Sequence, residues 1–277
     1  MGEATRIIAT ILGCASSGGV PRVGGNWGTC DPQNPRNRRR RCALLLTGTT
    51  EGQDGKTQVL IDTGADMREQ LLEQNVEHLD AVFYTHEHAD HTHGIDDLRA
   101  FALSMKQRVP VFYEPRTGSR LFESFGYCFQ SAPGSPYPPI LDGREIQAEA
   151  SVTIEGEGGD ITLMPLTQAH GHITSLGFRV GDLMYSCDLS DIPTETLPHL
   201  KGLQTWIVDA LRPVPHPSHF SLSDALEWID RVAPERAILT NLHVDMDYEW
   251  VSANTPFHVE PAYDGLKVDC VTGERIA

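Results

Sequence analysis

The run Thr85-His86-Glu87-His88-Ala89-Asp90-His91 brings three imidazoles and the Asp90 carboxylate together in one short stretch. Neutral imidazole and carboxylate oxygen suit zinc, manganese or iron. In an extended or turning segment, side chains at i and i+2 point the same way. His86 and His88 can therefore grip one ion while Glu87 turns elsewhere. Asp90 and His91 follow the bend and can face a second ion. Three further candidate ligands lie downstream, at His170, Asp188 and His243. A polar loop that is histidine-rich by chance would not explain why these partners recur.

The elements that must position these residues are apolar strands. Leu79–Tyr84 leads into the histidine run, Ile161–Leu166 precedes His170, Leu183–Cys187 precedes Asp188, and Ala237–Thr240 precedes His243. Each candidate ligand thus follows the C-terminal end of a strand, where an α/β sheet gathers its site residues. Strands are expected at 6–13, 42–47, 57–61, 79–84, 109–113, 161–165, 175–180, 183–187, 204–208 and 236–240. Helices are expected at 65–75, 95–105, 116–126 and 222–233. The last is the best marked: Ser221 can cap it, Asp224 sits in its first turn and Pro234 stops it. Its apolar positions Leu222, Ala225, Leu226, Ile229 and Val232 share one face. The Gly/Pro/Ser-rich segment 127–160 reads as an excursion over the active-site face, a wall for substrate.

The chain has 277 residues and a formal net charge of -16. That length is enough for one α/β domain over 1–277 with a substantial core. The acidic balance argues against long nucleic acid as a partner. It leaves room for a small anion, because bound cations invert the local field. The six cysteines are scattered, with no C-x-x-C pair, and no apolar run reaches membrane length. A reduced, cytoplasmic enzyme with no membrane partner is the expectation, with a homodimer allowed. Arg36, Arg38, Arg39, Arg40 and Arg41 form a basic run. It could hold a phosphate or nucleotide; the plainer reading is a solvated loop. The Gly/Ser loop 13–19, with Ser17 in it, could present backbone N–H groups to an anion or simply turn beneath the metals.

The string His-x-His-x-Asp-His with a later His, Asp and His resembles the metallo-β-lactamase superfamily of binuclear metallohydrolases. Further strings narrow the resemblance: Gly13–Pro21, Ile61–Asp66, His91–Arg99, His170-Gly171, His216-Pro217-Ser218-His219 and Glu260–Gly265. Together they are similar to the phosphoribosyl 1,2-cyclic phosphate phosphodiesterase branch, over nearly the whole chain. The resemblance implies an α/β fold, a four-layer αββα sandwich. It implies a binuclear phosphodiesterase acting on small, cyclic ribosyl or nucleotide-like phosphodiesters through a metal-bridging hydroxide. On this reading His86, His88 and His170 hold the first ion. Asp90, His91 and His243 hold the second, Asp188 bridges, and Asp90 counts among the catalytic residues. The two divalent ions are zinc or manganese, with iron also compatible. His219 is the expected proton donor to the leaving group, with His216 as the alternative donor. His216 and Ser17 are expected substrate contacts, and Asp62 and His93 are expected to brace the ligands.

The founding type of this branch also carries a structural zinc on closely spaced cysteines after the Gly-Val-Pro loop. Here only Cys30 stands in that region, and one thiolate cannot build such a site, so no structural zinc is expected. The alternatives within the fold are a tRNA 3′-end ribonuclease and a thioester hydrolase or β-lactamase. From another class, the alternative is a non-catalytic metal- or ligand-binding protein.

Overall fold

The computed structural model describes residues 2–276. Its first six strands form most of one sheet: β1 (Arg6–Gly13), β2 (Ala43–Thr49), β3 (Thr57–Ile61), β4 (Ala81–Phe83), β5 (Val109–Tyr113) and β6 (Leu141–Glu145). The next seven form a second sheet: β7 (Val152–Ile154), β8 (Ile161–His170), β9 (Ile173–Val180), β10 (Leu183–Ser186), β11 (Thr205–Asp209), β12 (Arg236–Thr240) and β13 (Val259–Pro261). The last two, β14 (Lys267–Asp269) and β15 (Arg275–Ile276), return to the first sheet beside β1. Both sheets are mixed. β3 to β6 run parallel, as do β10 to β13, while the remaining neighbours are antiparallel.

The strands read as unbroken apolar runs because both of their faces are covered. Leu44 and Leu46 of β2 point into a core shared with Phe178 and Ile207 of the other sheet. Ala43 and Leu45, one residue out of phase, join a second core. That core lies under the helices α1 (Met67–Glu73), α3 (Arg99–Met105) and α4 (Pro115–Phe129), with α2 (Ala89–Thr92) preceding α3 in the chain. On the far side, Trp206 and Val208 of β11 pack against α5 (Leu222–Val232) and α6 (Tyr248–Ala253). Three apolar layers between four layers of structure make the αββα sandwich that the sequence implies. No helix among the described residues is long and apolar enough to cross a membrane.

Helix α5 carries the expected cap as a reciprocal pair. Ser221 accepts from the Asp224 amide, and Asp224 accepts from the Ser221 amide. The single helix expected over 95–105 is instead a 3-10 turn, Ile95–Leu98, followed by α3. The expected excursion over 127–160 is corrected more substantially. Its first residues finish α4, and the rest supplies β6 to the edge of one sheet and β7 to the edge of the other. Among the described residues, none of this segment lines the cavity at the ligands. Gly, Pro and Ser mark where a chain turns, not which face it crosses.

Candidate functional site

The ligand candidates converge because parallel strands end together. His86 lies just past β4, Asp188 just past β10, and His243 just past β12, while His170 ends β8. His86, His88 and His170 offer ring nitrogens that all lie within 4.8 Å of one another. His88 Nδ1 is 2.9 Å from His86 Nε2 and 3.3 Å from His170 Nε2. Burial holds the His86 imidazole well below the ordinary histidine range and also lowers His170. Three ring nitrogens crowded together in this way are the donor set a cation satisfies.

Asp188 stands between the two halves of the cluster. Its Oδ2 is 3.9 Å from His86 Nε2 and 3.7 Å from His170 Nε2. Its Oδ1 is 3.4 Å from His91 Nε2. Asp90 Oδ2 also lies 3.4 Å from that nitrogen. Burial disfavours the charged His91 ring, yet the Asp188, Asp90 and Asp62 carboxylates around it hold it well above the usual histidine range. Three carboxylates around one buried ring are an excess of negative charge, and a divalent cation fits it.

Outer contacts fix the ligand rings. Asp62 Oδ2 accepts from His91 Nδ1 at 2.7 Å and from Thr85 Oγ1 at 2.8 Å, while its Oδ1 accepts from the Thr85 amide at 2.8 Å. Asp62 adopts φ 67°, a left-handed conformation that turns its carboxylate under the loop. Thr85 Oγ1 in turn lies 3.0 Å from His86 Nδ1. His170 Nδ1 donates to the Ser218 carbonyl at 2.6 Å, leaving Nε2 as the free lone pair.

The remaining sequence candidates separate. His243 lines the same cavity, but its Nε2 contacts the Arg22 guanidinium and its Nδ1 lies 2.9 Å from Asp245 Oδ2. It falls outside the groups of mutually close ligand atoms, and the structure does not bring it to Asp90 and His91. Ser17 and His216 also line the cavity, and His216 Nδ1 lies 3.2 Å from Ser218 Oγ. His93 does not brace a ligand ring. Its ring packs edge-on against Phe125 at 5.5 Å, on a different cavity. α2 turns successive side chains away from one another, so His93 leaves the face that His91 occupies. Cys30 is buried and donates its thiol to the Val244 carbonyl.

His219 faces Asp188 from the other side of the cavity. Its Nδ1 donates to Asp209 Oδ2 at 2.8 Å, and its Nε2 has no protein partner among the described residues. Burial opposes the imidazolium, but the Asp209 carboxylate outweighs burial and pushes His219 up to about 9. Burial also raises Asp209, so the pair holds a proton between them. Asp209 was missed from the sequence although a signal existed. The expected strand 204–208 stops one residue short of an Asp that closes an apolar run as Asp62 and Asp188 do. Arg22 and Arg212 were also missed. Both line the cavity of about 370 Å³, and Arg212 donates from Nε to the Val214 carbonyl and from Nη2 to the Pro215 carbonyl, which anchors its guanidinium. No periodicity could have marked them.

Comparison with known proteins agrees with this geometry. Residues 57–241 match the family model described as "Beta-lactamase superfamily domain". The chain is similar to a solved structure described as a new diphosphatase from the PhnP family. The identity is 30%, covering 96% of this chain and 97% of that one, with a TM-score of 0.83. A protein of Porphyromonas gingivalis named octanoyltransferase is 30% identical over 93% of this chain, and the chain spans about half, 50%, of that relative's length. Human tRNase Z, short form, shares the fold at 16% identity and a TM-score of 0.59, covering 94% of this chain and 98% of that one.

Proposed function

The chain belongs to the PhnP family of the β-lactamase superfamily and is a metal-dependent hydrolase; from that premise we propose that it cleaves small phosphodiesters, cyclic ribosyl phosphodiesters among them. The observation that carries this reading is His219, backed by the buried Asp209 and lining one cavity of about 370 Å³ with His88, Asp90, His170 and Asp188. A cavity of that size suits a small substrate. Arg22 and Arg212 on its wall suit a negatively charged one.

His86, His88, His170 and Asp188 would hold one divalent ion, and Asp188, Asp90 and His91 a second, which His243 would join on leaving Arg22 and Asp245. Such ions supply an activated water and charge stabilisation at a phosphoryl centre. The protein's own contribution is the handling of protons and orientation. Asp209 fixes His219 through Nδ1, which leaves Nε2 to carry a proton toward the leaving oxygen. The raised affinity of His219 for a proton keeps it charged at neutral pH, as a general acid must be. Arg212 and Arg22 orient the phosphoryl oxygens. His216, beside His219 with ring centroids 5.1 Å apart, borders the leaving-group side.

Hydrolysis of a linear diphosphate is a second reading, favoured by the activity named for the PhnP-family relative. The same residues would serve it, but a phosphate leaving group needs less help from His219. The test is a panel of cyclic phosphodiesters, linear phosphodiesters and linear diphosphates, assayed with zinc, manganese and iron. Hydrolysis of bis(p-nitrophenyl) phosphate and a five-membered ribosyl cyclic phosphate is expected. Lactamase or thioesterase activity without phosphodiesterase activity, at matched metal loading, would overturn the proposal.

A further inference from the structure

Of the ligand rings His86, His88, His91 and His170, all but His88 have a second nitrogen met by the protein: His86 by Thr85, His91 by Asp62 and His170 by the Ser218 carbonyl. His88 turns Nδ1 toward the His86 and His170 nitrogens, and its Nε2 has no protein partner among the described residues. The residue is exposed and lines two spaces: the ligand cavity, and a neighbouring cavity of about 390 Å³ between α2 and α4. With the Nδ1 edge given to the cluster, the Nε2 edge is left for the second space. That space has an aromatic wall. Phe125 takes φ -132° and ψ 27°, a break in α4, and its ring meets His93 edge-on at 5.5 Å. In an edge-on pair at least one face of each ring stays open to a third ring. Arg120 and Ser124 add polar groups at the rim. The charges on the wall are already matched, Arg120 by Glu123 and Glu87 by Arg116. An aromatic face with hydrogen-bonding groups at its edge and no surplus charge suits a neutral planar heterocycle better than an anion or an alkyl chain.

Resting on the phosphodiesterase reading, we propose that this second cavity takes a nucleobase, so that the preferred substrate is a nucleoside phosphodiester rather than a bare sugar phosphate. The phosphoryl group lies in the ligand cavity beside His219, the ribose crosses His88, and the base stacks on Phe125. A sugar hydroxyl accepts from His88 Nε2 and gives that ring the outer contact which the protein itself supplies to the other three. Every base has a π-face, so stacking on an aromatic side chain selects for a base without choosing strongly among bases.

Calorimetric titration of the metal-loaded protein with adenosine 5′-monophosphate and with ribose 5-phosphate tests the pocket without requiring turnover. The two ligands share a sugar and a phosphate and differ by the base. The parent should bind the nucleotide at least about fivefold more tightly, the effect of a single stacked base. Phe125→Leu keeps an apolar side chain against the core beneath α4 but loses the ring face. It should erase the preference and leave the affinity for ribose 5-phosphate unchanged. Ser124 is exposed, and Ser124→Leu should give the same result by filling the cavity, without touching a packed position. Metal content and Tm should match the parent in both variants. Equal binding of the two ligands by the parent, or a preference for the nucleotide that survives either substitution, would overturn the pocket. The phosphodiesterase reading fails separately, through the hydrolysis panel.

Discussion

His86 and His170 are almost wholly buried, and each has its second ring nitrogen fixed, by Thr85 and by the Ser218 carbonyl. Asp90 and His243, on the other half of the cluster, are partly exposed, and His243 is engaged by Arg22 and Asp245. His86 and His170 of the first half are therefore oriented by the fold itself before any ion arrives, while His88 is exposed and its ring nitrogen meets only those two rings. The second half is organised only as far as His91, which Asp62 holds from beneath. The contrast follows from position. His86 and His170 grow from buried strand ends, and Asp90 and His243 reach outward into partly exposed loops. A pre-oriented set loses little freedom on binding, whereas a half-made set must give up contacts first. The two halves should accordingly differ in affinity.

Asp188 is shared by both halves, so its loss should have the largest effect. Asp188→Ala should lower metal affinity by more than the ~10–100-fold typical of an outer-contact mutation and remove most activity. Metal analysis after dialysis checks this, and a fully active variant retaining both ions would break the assigned bridge. The comparison sharpens with one substitution in each half. His86→Ala should remove the tighter ion, while His243→Ala should weaken only the looser one, as read by competition with a chelator. Equal losses would mean that the two halves are one cooperative site.

Asp62→Ala probes the support beneath the cluster. It removes three hydrogen bonds from a buried position. A fall in metal affinity of about 10–100-fold is expected. Stability should fall by about 1–3 kcal/mol for each buried donor left unsatisfied, read by urea titration of the metal-free protein. The smallest effect is a shift in pH dependence. A general acid works while protonated, so the high affinity of His219 for its proton extends activity toward alkaline pH. Asp209→Asn removes the charge that raises it. The alkaline limb of kcat/KM should then move downward, toward the ordinary histidine value of about 6.5. An unmoved limb would assign that limb to another group.

How far the sequence carried this picture follows from which residues obey a periodicity. Apolar strands buried on both faces announce themselves, so His86, His170 and Asp188 were legible with the strands that end at them. β6, β7 and β13 to β15 were not, because short edge strands such as Leu141–Glu145 carry polar side chains and β13 contains Pro261. Arg22 sits in a glycine-rich loop where spacing says nothing about direction. His243 was readable as a strand-end residue, but its contact with Arg22 depends on how two distant loops meet. The basic run was visible as charge. Only the folded chain separates Arg39, buried, from Arg40 and Arg41, which are paired with carboxylates.

The central claim is that the Asp209–His219 pair delivers a proton to the leaving group of a phosphodiester. It is tested most directly by measuring His219→Ala against parent on two substrates at equal metal content. For a ribose hydroxyl leaving group the loss should be about 10²–10⁴-fold. For p-nitrophenolate, which hardly needs a proton, the loss should be far smaller. Equal losses on both substrates with the metals intact would contradict the claim and leave His219 as a binding residue.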